Sequence, residues 1–596
     1  VEVVRGPSSV AYGSDALGGV INIITREKRF SDTKPGIEGT AQIGGSSADK
    51  QMNGYLEMMP HAGRLSSVIS IGGRTTDDYR APSGTVPQSS FHDYDVMANL
   101  RYDLTPTLAL KGGYQGYRGN DIGIPGLSSP VVDYGPGWTQ VFNFKYYDRD
   151  AAHLALDHTY TQSWLASSMF KVYWQREKRN FFSARDLASF YYPFFGYSGP
   201  VDSHAHTDQD RLFDLNTVGA QAQFTSVKTA RTRFTAGLDA VDDQTGGDNQ
   251  AVTTIVDNGS GAVVGSAPTA YSQSVPTGHF ANAALYAQGE WFLDPRWTLS
   301  GGARVTQYHY RADAFTPDGG VTQVAATTHD DDAVCGTLGL VYALAPDLHL
   351  SANVANGYRE PNAQDLYFNG PASVGYVLGN PDLKPEKSVS YDLGLRWGPG
   401  DLAISGNAYL STYDDLIDAI NVTPPGTPPG APNTYQYENI SKARIWGGEA
   451  EANWRFRSQW ELRTQLSGVV GDITSHDAIM TLYGLDESQV PLDGIPPFRG
   501  SAGLRWTTAD GRTWIEPAMR YSWRYDRLPP PIAGVSQIGA AKKEWLVGDL
   551  SAGTRTPWGQ RLVAGVRNIG DATYRPALSS VDEPGVSVYG TLSTDF

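Results

Sequence analysis

The side chains in this chain best suited to holding a ligand are aromatics and imidazoles gathered in one stretch. Phe190-Tyr191-Tyr192-Pro193-Phe194-Phe195-Gly196-Tyr197 is the densest aromatic cluster, and His204-Ala205-His206 follows it. Exposed aromatics on a loop can grip a flat or aryl-rich ligand, and two His at i and i+2 can ligate iron if both project to one face. Tyr191, Tyr192, Phe194, Phe195, Tyr197, His204 and His206 are therefore ligand-binding candidates; the plainer reading is a self-packed loop with solvated imidazoles. A second group is His329-Asp330-Asp331-Asp332. An acidic run can attract calcium or a cationic ligand, but a solvated acidic loop is the expectation here, and no metal site is assigned. A third is Gly448-Glu449-Ala450-Glu451-Ala452-Asn453. On a strand Glu449 and Glu451 point to one face, where like charges repel unless a cation lies between them. Cys335 is the only cysteine; it has no disulfide partner and no zinc-type spacing around it, and reads as a small wall residue. Gly-x-Ser-x-Gly, HExxH and phosphate-loop motifs are all absent. No catalytic residue or cofactor is assigned, and the expectation is a protein that is not an enzyme.

The elements that must position these groups are strands. From Tyr94 to Leu104 one face reads Tyr94, Val96, Ala98, Leu100, Tyr102, Leu104 and the other Asp95, Met97, Asn99, Arg101, Asp103. Such period-2 alternation predicts a strand with one apolar and one wet face, long enough to cross a bilayer at a tilt. A tight turn at Thr105-Pro106 leads into the next alternating strand. The same hairpin returns at Leu293-Asp294-Pro295-Arg296-Trp297 and at Leu344-Ala345-Pro346-Asp347-Leu348. At the other ends lie stretches rich in Gly, Pro, Ser and Asp, read as long loops over residues 119–138, 183–210, 246–278 and 424–436. Short turns on one side and long loops on the other point to a membrane barrel. A propeller or solenoid is the soluble alternative, but its strands are shorter and more evenly spaced.

Composition agrees. Charged residues make up 18%, below the roughly 25% usual in soluble chains. Tyr, Trp and Gly are plentiful and mean hydropathy is negative, as expected of a barrel whose strands alternate and average out. A formal charge of −16 argues against nucleic acid as a partner. The chain opens at Val1 in mid-segment without a Met, so the expectation is that native sequence lies upstream, and no signal peptide is read.

The first residues are the most specific. Val1-Glu2-Val3-Val4-Arg5-Gly6-Pro7-Ser8-Ser9-Val10-Ala11-Tyr12-Gly13-Ser14-Asp15-Ala16-Leu17-Gly18-Gly19-Val20-Ile21-Asn22-Ile23-Ile24-Thr25 resembles the last plug segment of TonB-dependent receptors. It reads as a strand, an Arg-Gly-Pro turn, a short helical turn, a Gly-Gly break and a buried apolar strand from Val20 to Ile24. Gly357-Tyr358-Arg359-Glu360-Pro361, with Asn380-Pro381-Asp382-Leu383-Lys384-Pro385-Glu386, resembles the mid-barrel pattern of the same family, with Glu360 where Ala is usual. Asn568-Ile569-Gly570-Asp571 and the terminal Phe596 resemble its C-terminal strand, although Thr594 stands where an apolar residue is common.

The resemblance implies an all-β fold: a transmembrane antiparallel β-barrel of about 22 strands, the size associated with a plugged lumen, carrying a remnant of the N-terminal plug. Residues 1–30 are expected to be the end of the plug and 36–596 the barrel with long extracellular loops. The implied place is the bacterial outer membrane, in contact with its lipid, and the implied function is active import of a scarce ligand. A ferric siderophore is the leading cargo, haem or cobalamin the alternative, and a passive channel a further one. The implied partners are the iron chelate and the TonB complex of the inner membrane, which would engage a box that these residues do not contain. Arg5 resembles the plug arginine that pairs with barrel glutamates, so Arg5, Glu449 and Glu451 form an expected plug–barrel lock. Tyr358 and Arg359 join the ligand-binding candidates. Residues 362–379 contain no His, which counts against haem.

Overall fold

The computed structural model describes residues 1–29, 34–127, 137–161, 163–192, 199–268, 272–317, 324–372, 375–423, 434–474, 490–492, 494–528 and 541–596. Neighbouring strands pair antiparallel in chain order, and the first, Gly36–Ser46, pairs with the last, Ser587–Asp595. The result is a closed antiparallel barrel of 22 strands. Closure removes the unpaired edge that a membrane would not tolerate. At the seam Gly39 and Phe596 exchange backbone bonds, N to O at 2.8 and 3.0 Å.

Side-chain period decides which face is which. On the strand Trp297–Ala312 the residues Arg304, Thr306, Tyr308, Tyr310 and Ala312 are buried inward, while Val305, Gln307, His309 and Arg311 are exposed outward. Val305 lies in register with Leu285, and Leu285 with Leu238, all exposed. These rows form the apolar band that meets lipid acyl chains. The expected Tyr94–Leu104 strand spans Phe91–Asp103; its apolar set Tyr94, Leu100 and Tyr102 is exposed, and Asn99 is buried. Aromatic pairs mark the short-turn rim, with Trp297 stacked on Tyr342 at 4.1 Å.

Two of the three repeated hairpins owe their turns to one side chain. Thr105 Oγ1 accepts from the backbone N–H of Thr107 and Leu108 at 3.2 and 3.0 Å. Asp294 Oδ1 does the same for Arg296 and Trp297 at 2.7 and 3.0 Å. Both are side-chain turns that satisfy backbone donors locally.

Two stretches read as loops are strand instead. Much of the supposed loop region is strand. Trp138–Thr159, Leu165–Ala188 and Ser203–Ser226 run to 22, 24 and 24 residues, where about ten suffice to cross a membrane. Their outer ends hold together by cross-strand contacts, such as Phe142 stacked on Phe181 at 5.4 Å and Lys145 paired with Asp210 at 2.7 Å, which need no apolar alternation. Likewise His329 to Asp332 lie in the strand Thr327–Ala345, not in a loop.

Inside the barrel sits the N-terminal segment. Glu2–Arg5 pairs antiparallel with Gly19–Asn22, and the helical turn Ser9–Tyr12 lies between them. The stretch from Val20 to Ile24 was expected to be buried, yet Ile21, Ile23 and Ile24 are exposed. Among the described residues its strand pairs only with Glu2–Arg5. The connector that follows is fastened to the wall by charge. Arg26 pairs with Glu57, Arg29 with Asp103 at 2.9 Å, and Lys111 with Glu27 at 2.7 Å.

Candidate functional site

The site lies where the turn formed by residues 6–16 meets the wall. Gly6 N–H donates to Gly18 O at 3.2 Å and Ser8 N–H to Ala16 O at 3.0 Å, closing the turn on itself. Gly6 has a φ of +75°, and a Cβ there would stand 2.8 Å from Asp392 Oδ2. Gly13 ends the helical turn at φ +84°, and its Cβ would stand 3.3 Å from Arg304 Nη2. Both positions combine a left-handed backbone with close approach to the wall, so both require glycine. Arg304 itself is buried, with Nη1 on Asp239 at 2.6 Å and Nε on Thr306 at 3.1 Å. The packing is incomplete beyond these points: a cavity of about 880 Å³ separates Pro7 to Tyr12 from His349 and Asn353.

Above the turn, Val10 joins a buried layer with Phe280, Tyr308, Tyr310, Tyr358 and Leu366. Tyr308 donates to Tyr358 Oη at 2.8 Å, and Tyr358 to Thr306 Oγ1 at 2.9 Å. Next to it Arg359 makes a two-pronged bond to Glu386, at 2.8 and 3.0 Å, and a third to Asp365 at 2.6 Å. Asp365 belongs to a capping box that starts the helix Ala363–Tyr367: Asn362 Oδ1 accepts from Gln364 and Asp365, and Asp365 Oδ2 accepts from Asn362 N–H. Glu386 also accepts from Ile417 N–H at 2.8 Å. One guanidinium thus ties together a strand end, a loop helix and the next two strands.

Glu360 turns the other way, toward the plug segment. Its N–H donates to Ser14 Oγ at 3.1 Å. Burial, then the charges of Asp331 and Asp15, push its carboxyl up to about 8. Burial also raises Asp15, against the hydrogen bond from Ser14. An acid that holds its proton near neutrality in this way marks a place where charge is managed.

The other expected site residues are dispersed. Tyr192 is buried against Leu187, Ala205 and Ile255, with its hydroxyl 3.1 Å from Ser203 Oγ. Phe194, Phe195 and Tyr197 lie outside the described residues, as does the side chain of Tyr191. His204 and His206 do share a face. They share the strand parity of the exposed Val218 and Ala220, which puts them on the outside of the wall. Each is engaged, His204 with Asn258 at 2.7 Å and His206 with Asp186 at 2.7 Å. Tyr358 and Arg359 are occupied by the bonds already given. Glu449 and Glu451 face the lumen, opposite the exposed Trp446 and Trp454, and line a cavity of about 570 Å³ with Arg499 and Tyr409. The Arg5 side chain lies outside the described residues, but its neighbour Gly6 rests on Asp392, on a strand two removed from that of Glu449.

Tyr308, Tyr310, Asp15, Asp365 and Glu386 were not found by sequence reasoning. The alternation Arg304-Thr306-Tyr308-Tyr310 is the signal that could have found the first two, since polar and aromatic groups repeat there on one strand face.

A closed barrel with an apolar outer face and an N-terminal segment docked on its inner wall has the architecture of an outer-membrane receptor. The family model described as TonB dependent receptor-like, beta-barrel, matches residues 120–569. The chain belongs to the TonB-dependent receptor family, whose members are receptors and transporters rather than enzymes. An iron-regulated outer membrane virulence protein of Vibrio cholerae is 24% identical, over 86% of this chain and 67% of that protein. A ferric enterobactin receptor of Pseudomonas aeruginosa is 23% identical, over 100% of this chain and 80% of that one. The solved structure of the copper transporter OprC superposes with a TM-score of 0.78 at 19% identity, covering 100% of this chain and 85% of that chain.

Proposed function

We propose that this receptor imports a ferric siderophore across the outer membrane, drawing energy from an inner-membrane TonB complex. The observation that carries the reading is the docking of the N-terminal segment on the inner wall. Gly6, Gly13 and Ser14 sit against Asp392, Arg304 and Glu360, and the connector is pinned by ion pairs. Passage therefore means displacing the plug segment, which needs work supplied from outside; a passive channel gains nothing from such contacts. The choice of cargo rests on the relatives, one of them a ferric enterobactin receptor aligned along this whole chain. In this reading residues 1–30 are the end of the plug and 36–596 the barrel. Arg5 bridges Glu449 and Glu451, and Phe194, Phe195 and Tyr197 make the first contact with the chelate.

The test is binding of radioactive iron, supplied as a panel of siderophores, to the receptor in outer-membrane vesicles, with haem, cyanocobalamin and copper as competitors. Saturable binding of one ferric siderophore, untouched by the competitors, is the expected result. Displacement by haem or cobalamin would replace the cargo, and no iron binding at all would overturn the reading.

A further inference from the structure

One cluster of ligating side chains lies at the plug–wall junction, outside the bonds that hold Arg359. His329 and Asp331 follow the inward parity of the strand Thr327–Ala345, in register with Tyr310 and Tyr308. Glu360 reaches them from the end of the strand Leu348–Arg359. Each of the three offers one donor atom, and these atoms lie within 4.8 Å of one another; His329 Nε2 is 4.0 Å from Glu360 Oε1. The Tyr310 ring, nearly parallel to the imidazole at 6.2 Å and 26°, backs it.

Glu360 gives the cluster its meaning. Its side chain is 2% exposed, and among the described residues no hydrogen bond reaches either carboxylate oxygen, nor His329 Nε2. Buried carboxylates are normally met by donors, cations or metals. The cation next to it in sequence, Arg359, is committed to Glu386 and Asp365. Two carboxyl groups and an imidazole converge with no hydrogen-bond donor among the described residues to meet the Glu360 oxygens, and a bound cation would engage all three.

We propose that His329, Asp331 and Glu360 bind a first-row divalent transition-metal ion between plug and wall. The donor set selects the class: imidazole nitrogen with carboxylate oxygen suits such ions, whereas calcium asks for six or more oxygens. Three donors at about 2.1 Å from one ion stand about 3.0–3.6 Å from each other, so binding draws these side chains in by up to about an ångström. Because the Glu360 N–H holds Ser14, the ion sits one hydrogen bond from the plug turn. This site stands independently of the siderophore reading, since a receptor for any cargo could carry it.

The probe is Co(II), added to the receptor purified in detergent after stripping with a chelator, and followed by its visible absorption. One equivalent per chain is expected. His329→Ala and Glu360→Gln should each weaken binding by about tenfold or more, at least the loss seen when groups supporting a metal ligand are removed. Asp330→Asn with Asp332→Asn is the control. These residues alternate outward on the same strand, Asp330 against His309 at 2.6 Å, and their loss should leave the affinity alone. Retained barrel folding is checked by the heat shift on a gel, and Glu360→Gln, nearly isosteric, decides if the histidine variant fails to fold. Parent-like binding by Glu360→Gln, loss confined to the outward pair, or no saturable binding up to millimolar Co(II) would each overturn the site.

Discussion

Glu360 shows how much one departure from a pattern can carry. It stands where this family's mid-barrel motif usually has Ala, and it is buried with Asp331, Asp15, His329, Tyr308 and Tyr310 among the titratable groups facing it. Its carboxyl is pushed up to about 8 from an ordinary 4.5. Between those values the unfolded chain has lost the proton while the folded chain keeps it. This group therefore costs nothing below about 4.5, and stability falls as the pH rises toward about 8. In metal-free protein, Glu360→Gln is expected to leave the thermal midpoint unchanged in acid and to raise it at slightly alkaline pH. Parallel pH profiles for variant and parent would show that burial of this carboxyl carries no such cost. Arg359, its neighbour, illustrates the opposite lesson. An exposed arginine in a motif suggests a ligand contact, but here Glu386 and Asp365 take the guanidinium, and its work is to join elements.

Among the elements, the strands tell most and their ends tell least. Alternation located Phe91–Asp103 to within a few residues because lipid on one side and the lumen on the other impose period 2. Past the membrane that constraint lapses, and the 24-residue strands continue on cross-strand pairing alone. The seam is the element most exposed to a single change. A Cβ on Gly39 would stand 2.3 Å from the Phe596 ring and 2.6 Å from the Glu57 carbonyl oxygen. The ring can swing away, but the carbonyl is backbone. Gly39→Ala is therefore expected to destabilise closure by about 1–3 kcal/mol, the usual cost of overpacking. The readout is a lower temperature for loss of the compact form on a gel; a midpoint equal to the parent's would mean the seam relaxes freely.

Taken whole, the molecule is a rigid wall holding a segment that meets it at a few chemically distinct places. Those places differ in kind: glycine close approach at Gly6 and Gly13, one hydrogen bond at Ser14, and ion pairs from Arg26 to Arg29. A lock by Arg5 would add another, beside the lumen carboxylates. If it operates, replacing Glu449 and Glu451 with Ala should speed amide exchange across Glu2–Arg5 and leave the wall strands unchanged. Unaltered exchange in Glu2–Arg5 would remove the lock.

Class, membrane and topology were legible along the chain because each rests on local regularity. Tight turns capped by Thr105 and Asp294, alternating strands and the Arg5-Gly6-Pro7 segment are all short-range patterns. The site was not, because its members are far apart in sequence. Asp15, His329 and Glu360 meet only when the barrel closes and the plug turn docks, and each alone reads as an ordinary surface charge. Burial, which turns a carboxylate from a solvated group into one that needs a partner, is a property of that assembly. No window of sequence contains it.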